Sequence, residues 1–139
     1  MNEFIFSQMY VGQEQSFKVE IDRSKVEKFL EISEDINPLH NDPAYAKSKG
    51  FEDRVVYGML TSSFYSTLIG VYLPGKYAML HSLNIQFSKP VYIGDKLKVH
   101  GKIRYINEAY KQIEIAAYIS NQDGIKVSKA IIKTGVMDE

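Results

Sequence analysis

The chain has 139 residues, 45% of them apolar and 24% charged, with 17 basic side chains against 17 acidic ones and no cysteine. This is the composition of one globular domain spanning residues 1–139, long enough to bury a core without staples, and it excludes a disordered chain. It also excludes disulfide scaffolds, thiol nucleophiles and thiolate metal sites, and the lack of any Lys/Arg block argues against a nucleic-acid partner.

Residues Met1 to Tyr10 show neither the basic start nor the apolar run of an export signal, so a cytoplasmic location is expected. The first strand is expected around Gln15 to Asp22, where Phe17, Val19 and Ile21 alternate with Lys18, Glu20 and Asp22. Ser24, with Glu27 three residues on, has the pattern of a capping box, which predicts a short amphipathic helix from Lys25 to Glu34. A turn-rich stretch from Asp35 to Pro43 follows, and Pro43 is suited to open another helical turn before Gly50.

From Val55 to Gly75 the chain carries no charge, where average density would place about five. The length admits a membrane span, but Gly58, Thr61, Ser62, Ser63, Ser66, Thr67 and Gly70 make the segment too polar for lipid. It reads as a helix enclosed by protein, with no membrane partner. Beyond Pro74-Gly75 the pattern is β. Leu83, Ile85 and Phe87 alternate with polar residues before Pro90, and Gly94-Asp95 is a turn. Residues 96–105 form the cleanest half-buried strand, Ile113 to Ile119 another, and Asp123-Gly124 a hairpin signal. The last strand, Ile125 to Val136, is apolar on both faces and should be central. The order predicts an α+β domain whose antiparallel sheet is laid on one apolar helix.

Within that helix Gly58, Ser62, Ser66 and Gly70 recur every four residues as a stripe of small side chains. Tight helix–sheet contact explains Ser62 and Ser63 as well as a functional role does. Gly58 stands near the helix start, where unpaired N–H groups and the positive dipole end suit an oxyanion. Of the three histidines, only His40 has a carboxylate at a telling distance, Asp35. Pro38 biases Asn37 to extended backbone, so the segment can turn back and bring both side chains together. A carboxylate with an imidazole can take a proton from water and return one elsewhere near neutral pH. Taken alone, this spacing is also what any Asx-rich helix exit would show. His81 and His100 read as surface residues. The sequence lacks HExxH, G-x-S-x-G, GxGxxG and GxxxxGK[ST] patterns, so metal, serine-hydrolase, dinucleotide and phosphate-loop chemistry have no support.

The string from Ser33 to Ala46, SEDINPLHNDPAYA, resembles the hydratase-2 motif of the MaoC-like (R)-specific enoyl-CoA hydratases. The resemblance continues through Phe51, Val56-Tyr57-Gly58-Met59-Leu60, Leu73-Pro74-Gly75, Phe87-Ser88-Lys89-Pro90-Val91 and Gly94-Asp95, in family order. It implies a hot-dog fold, an antiparallel sheet wrapped around a central helix at Gly58 to Tyr72, as a homodimer whose partner completes the acyl tunnel. It implies Asp35 and His40 as the catalytic pair, adding water across the C2=C3 bond of a trans-2-enoyl thioester with no cofactor and no metal. The Gly58 N–H would hold the thioester carbonyl, Ser66 would accompany the dyad and Asn37 would support the loop. Two positions depart from the family pattern. Tyr57 stands where relatives often have His, which bears on substrate positioning, and Glu34 where the eukaryotic motif has Gly. The rival readings are the same chemistry on an acyl-carrier-protein thioester, a non-catalytic acyl-thioester binding module, and a thioesterase.

Overall fold

The computed structural model describes residues 1–138. After a 3-10 turn at Phe6–Gln8 the elements run β1 (Glu14–Glu20), α1 (Arg23–Ser33), α2 (Pro38–Asn41), α3 (Pro43–Ser48), α4 (Gly58–Thr67) with a π-helical turn at Leu68–Tyr72, then β2 (Ala78–Phe87), β3 (Lys96–Asn107), β4 (Gln112–Ser120) and β5 (Lys126–Val136). The strands form one antiparallel sheet in the order β1-β3-β4-β5-β2. The expected α+β arrangement is present, and β5 lies inside the sheet, as its two apolar faces predict.

Period-two patterning sets the register. Ile103 lies opposite Ile115, Ile115 opposite Ile132, and Ile132 opposite Leu83, a row across four strands on the side that faces α4. The three isoleucines are fully buried, each contributing roughly 1.5–3 kcal/mol relative to exposure. On the helix side, Leu60, Tyr65, Leu68 and Ile69 are buried against this surface. Gly101 lets the two layers meet: a Cβ there would lie 2.7 Å from Leu68 Cδ2 and 3.0 Å from Ile115 Cγ2. The charge-free segment thus supplies the central helix expected from sequence, but it is packed on the sheet along one side only, and Met59, Ser63 and Ser66 stay exposed on the other. No helix among the described residues is long and apolar enough to cross a membrane.

The helix starts differ in detail. Asp22, not Ser24, caps α1: its carboxylate accepts the Lys25 N–H at 2.8 Å, so the helix begins two residues earlier than the capping-box pattern suggests. That backbone bond, aided by the Lys25 ammonium, holds the Asp22 carboxyl below its ordinary pKa. At the other end, Glu34 takes a left-handed conformation with φ 56°. This is the backbone that favours glycine, and it accounts physically for a glycine at this position in the motif. The one-turn helix α2 lay hidden in the turn-rich stretch. Asn37 caps it by accepting the Leu39 N–H at 2.9 Å, with Pro38 in the first position.

Candidate active site

Asp35 follows the left-handed turn at Glu34, and its Oδ1 accepts the Asn37 N–H at 3.1 Å. The loop is thereby bent into the cap of α2, which carries His40 on its single turn. His40 is held from the opposite side by Val55. The Val55 N–H donates to the Leu39 carbonyl at 3.0 Å, and the Val55 carbonyl lies 2.6 Å from His40 Nδ1. A carbonyl can only accept, so Nδ1 carries a proton in this contact, and Nε2 is the ring nitrogen left to act as a base.

Tyr57 forms the floor beneath this loop. It is buried, its ring centroid lies 4.3 Å from that of His40 and 4.9 Å from that of Phe29, and its hydroxyl donates to the Asp35 carbonyl at 2.8 Å. The same hydroxyl lies 3.3 Å from Asn41 Oδ1, while Asn41 Nδ2 donates to the carbonyls of Asn37 at 3.1 Å and Asp35 at 3.3 Å. Tyr57 and Asn41 therefore brace the segment that carries Asp35 and His40. As the N-cap of α4, Tyr57 offers no side-chain bond to the first-turn amides. The positive end of the helix is left uncapped beside His40.

Asp35, His40, Tyr57 and Gly58 line one depression of about 400 Å³ together with Phe29 and Phe87. His40, Gly58 and Phe87 also line a neighbouring depression of about 350 Å³ that extends past Val56, Ser88 and Val127. These three residues form the divide between the two. A Cβ on Gly58 would lie 2.9 Å from Phe87 Cε1. In this structure, then, the missing side chain admits the Phe87 ring, a reason for glycine that the helix-start argument does not contain.

Four of the seven sequence-derived site residues line the first depression, Asp35, His40, Tyr57 and Gly58, and Asn37 stands behind them as the cap of the helix that carries His40. Ser62 and Ser66 do neither. The buried Ser62 hydroxyl donates to the Gly58 carbonyl at 2.8 Å, inside its own helix. Ser66 is exposed, roughly 12 Å along the helix from Gly58, and lines neither depression. Sequence reasoning missed Phe29, Asn41 and Phe87. Asn41 sits within the motif string, but the two phenylalanines come from a helix and a strand whose contact with the loop has no local signal. His100, expected on the surface, is largely enclosed: it stacks on Tyr118 with ring centroids 4.8 Å apart and lies 3.8 Å from Glu14.

Residues 7–123 match the family model described as the MaoC like domain. The chain is 34% identical over 114 residues to the (R)-specific enoyl-CoA hydratase of Aeromonas caviae, covering 82% of this chain and 85% of that protein. It is 44% identical over 72 residues to the mitochondrial 3-hydroxyacyl-[acyl-carrier-protein] dehydratase of Arabidopsis thaliana, covering 52% of this chain and 42% of that protein. Among solved structures, the unliganded R-hydratase of Pseudomonas aeruginosa superposes with a TM-score of 0.91 at 28% identity, covering 99% of this chain and 88% of that one. The fold is the hot-dog fold of these R-hydratases, and the chain belongs to the MaoC-like family.

Proposed function

We propose that the chain is an (R)-specific enoyl-CoA hydratase, running reversibly as a (3R)-3-hydroxyacyl-CoA dehydratase. Its family relatives are named hydratases and dehydratases, and the chain is a hydro-lyase of this class. The observation that carries the finer reading is the fixed tautomer of His40. With Nδ1–H given to the Val55 carbonyl, Nε2 is the ring's available base on the cavity that also holds Asp35 and the uncapped start of α4.

In hydration, the pair takes a proton from water as its oxygen bonds to C3. The C2=C3 electron pair moves toward the thioester oxygen, and a proton is delivered to C2. Charge develops on that oxygen, where the N–H of Gly58 and the helix dipole stabilise it. The acid–base pair contributes about 10²–10⁴ in rate, and an oxyanion donor about 10²–10³. Asn37 holds the loop, and Tyr57 sets how the thioester meets the dyad. No cofactor enters this scheme.

A second copy of the chain completes the acyl tunnel in this reading. The support is an exposed apolar strip on β2, an edge strand, running beside the open face of α4 that carries Met59 and Ser66. Ser66 would join the site from that covered face.

The test is the loss of enoyl absorbance on adding the protein to crotonyl-CoA and longer trans-2-enoyl-CoA esters. A (3R)-specific dehydrogenase then reads the product. Turnover to the 3R alcohol is expected; an entirely 3S product, or no turnover at any length from four carbons upward, overturns the proposal. Saturable binding without turnover would make the chain a binding module, and release of free CoA a thioesterase. The likeness to a carrier-protein dehydratase favours one second reading, the same chemistry on a carrier-protein thioester. Of three cations near the loop, Lys47 and Lys49 are exposed and available to an acidic carrier, whereas Arg54 is half-buried. Comparing turnover on CoA and carrier-protein thioesters separates the two.

A further inference from the structure

The sequence scatters its lysines along alternating strands, and folding gathers them on the sheet face turned away from α4. Lys18 on β1 lies directly opposite Lys98 on β3, Lys98 opposite Ser120 on β4, and Ser120 opposite Lys126 on β5. At the usual strand spacing this row spans roughly 14 Å. Lys96 projects from the same face two residues before Lys98. The four lysines, with Ser120 and Asn121, line a depression of about 550 Å³.

Like charges placed directly opposite each other on a ladder destabilise it. Among the described residues none of the four ammonium groups forms an ion pair; Lys126 instead lies 4.4 Å over the Tyr118 ring. The nearby carboxylates are engaged or turned elsewhere. Asp95 accepts from the Tyr92 N–H at 2.9 Å and from Gln122 Nε2 at 3.0 Å. Glu14 lies 3.8 Å from both Lys102 and His100. Glu20 is the residue opposite Lys96 on the ladder and makes no ion pair with it. Burial holds the His100 imidazole below its usual pKa; Glu14 opposes this, while Lys98, Lys102 and Lys126 add to it.

A second depression of about 470 Å³ adjoins the first, sharing Tyr118 and Lys126 with it. Ala116 and Ile131 lie side by side in its floor, and the Asn84 and Gln86 amides stand at its wall. Four convergent cations beside a flat, partly apolar surface with amide donors and acceptors match phosphates joined to a heteroaromatic base. We propose that the outer face of the sheet binds a nucleotide, its phosphates among Lys18, Lys96, Lys98 and Lys126 and its base over Ala116 and Ile131.

Such a nucleotide has two sources: the nucleotide end of a CoA thioester, or a free nucleotide. The first rests on the hydratase reading. It is geometrically open because Ser88, which lines the depression at the active site, donates its hydroxyl to the Lys126 carbonyl at 3.1 Å. The two faces therefore meet at this end of the sheet.

Calorimetric titration at low ionic strength with adenosine 3′,5′-bisphosphate, and separately with inorganic tripolyphosphate, tests the site. Saturable binding of the bisphosphate is expected, weakened about tenfold or more by Lys98→Gln and by Lys126→Gln. Lys28→Gln on α1 should leave it unchanged. Thermal melts of each variant keep misfolding distinct from lost binding, and Lys98→Gln, by relieving the Lys18 repulsion, should melt no lower than the parent. No saturable bisphosphate binding, or equal binding in the folded variants, overturns the proposal; binding of tripolyphosphate as tight as the bisphosphate overturns the base subsite.

Turnover then assigns the source. If the nucleotide is the substrate's own, Lys98→Gln raises KM for crotonyl-CoA about tenfold and leaves crotonyl-pantetheine untouched. If it is a free ligand, neither KM moves while bisphosphate binding still falls. Absence of turnover on CoA and pantetheine thioesters of every chain length from four carbons upward would defeat the hydratase reading and leave the calorimetric result standing by itself.

Discussion

The Tyr57 hydroxyl donates a 2.8 Å hydrogen bond to the backbone carbonyl of Asp35, tying the start of the central helix to the loop that carries Asp35 and His40, the proposed acid–base pair. Because the Tyr57 ring also packs against His40, one side chain contacts the supports of both members. Tyr57→Phe keeps the ring contacts and removes only the hydroxyl. The melt should show a loss of about 0.5–1.5 kcal/mol, the net worth of one hydrogen bond. Turnover should fall further than that stability change implies, with kcat affected more than KM. An unchanged kcat in the folded variant would show that the phenol does not position the pair.

Asp35→Asn and His40→Ala should each lower kcat about 10²–10⁴-fold while leaving the melting transition nearly intact. Asp35 is exposed and its carboxylate makes a single local backbone bond, to the Asn37 N–H. His40 is half-buried, and its loss frees the Val55 carbonyl, so its variant should be the less stable of the two. If both folded variants turn over at the parent rate on an active substrate, the chemistry lies elsewhere.

Gly58→Ala separates the two reasons for glycine. The added methyl would meet the Phe87 ring at 2.9 Å. Phe87 is itself more than half exposed and stands at the end of an edge strand. The ring can therefore swing aside, and the stability cost should stay near 1 kcal/mol, at the low end for overpacking. Activity should drop about 10²-fold or more if a thioester oxygen must approach this amide. Phe87→Ala in the same chain restores the space without removing the methyl. Recovered activity in the double variant would make the ring, not the oxyanion, the reason for Gly58.

What could be read along the chain is what depends on near neighbours. The alternation at Leu97, Val99, Gly101 and Ile103 and the uncharged helix are local patterns, and each fell where expected; the Asp35–His40 string is local too, and its two side chains line one depression. The Asx and proline chemistry of Asn37 and Pro38 was legible as a turn but concealed a full helical turn with its own cap. What escaped depends on tertiary contact. Phe29 and Phe87 reach the site only because α1 and the end of β2 converge on the start of α4. Ser62 shares the small-residue stripe with Gly58 but turns its hydroxyl onto the helix carbonyl, a choice that spacing does not encode. The lysines of the outer face form no run in the sequence, since a strand presents alternate residues and the sheet supplies the rest.

Tyr65 gives the core a pH signature. It is buried and its hydroxyl lies 2.7 Å from Ser128 Oγ. Burial pushes its pKa up to about 12, partly offset by the Ser128 bond. The unfolded chain loses this proton near pH 10 and the folded chain two units later, so between those values the folded state binds more protons. Stability contributed by the neutral phenol is therefore complete below pH 10 and is lost as pH rises through about 12. Denaturant titrations of the parent and of Tyr65→Phe should converge over this window, the parent losing more stability with rising pH. Parallel slopes would mean that the phenol titrates alike in both states.

The edge of the sheet bears on the dimer. β2 is an edge strand of 10 residues, and Leu80, Leu83 and Phe87 along it are 45%, 37% and 54% exposed, with Met59 of α4 at 65%. Long apolar edges invite pairing with another chain, and the exposed side of α4 lies next to this one, so a second copy paired along β2 would cover both. A stable interface of this kind buries about 1,200–2,000 Å², which demands that these side chains take part. Light scattering should therefore return twice the chain mass for the parent, and Leu83→Glu, placing a carboxylate in the interface, should return the single mass. Because the tunnel is completed by the partner in this reading, the monomeric variant should also lose turnover on long enoyl chains more than on crotonyl-CoA. A parent that is monomeric at assay concentration, or a Leu83→Glu chain that remains dimeric, would place the interface somewhere other than β2.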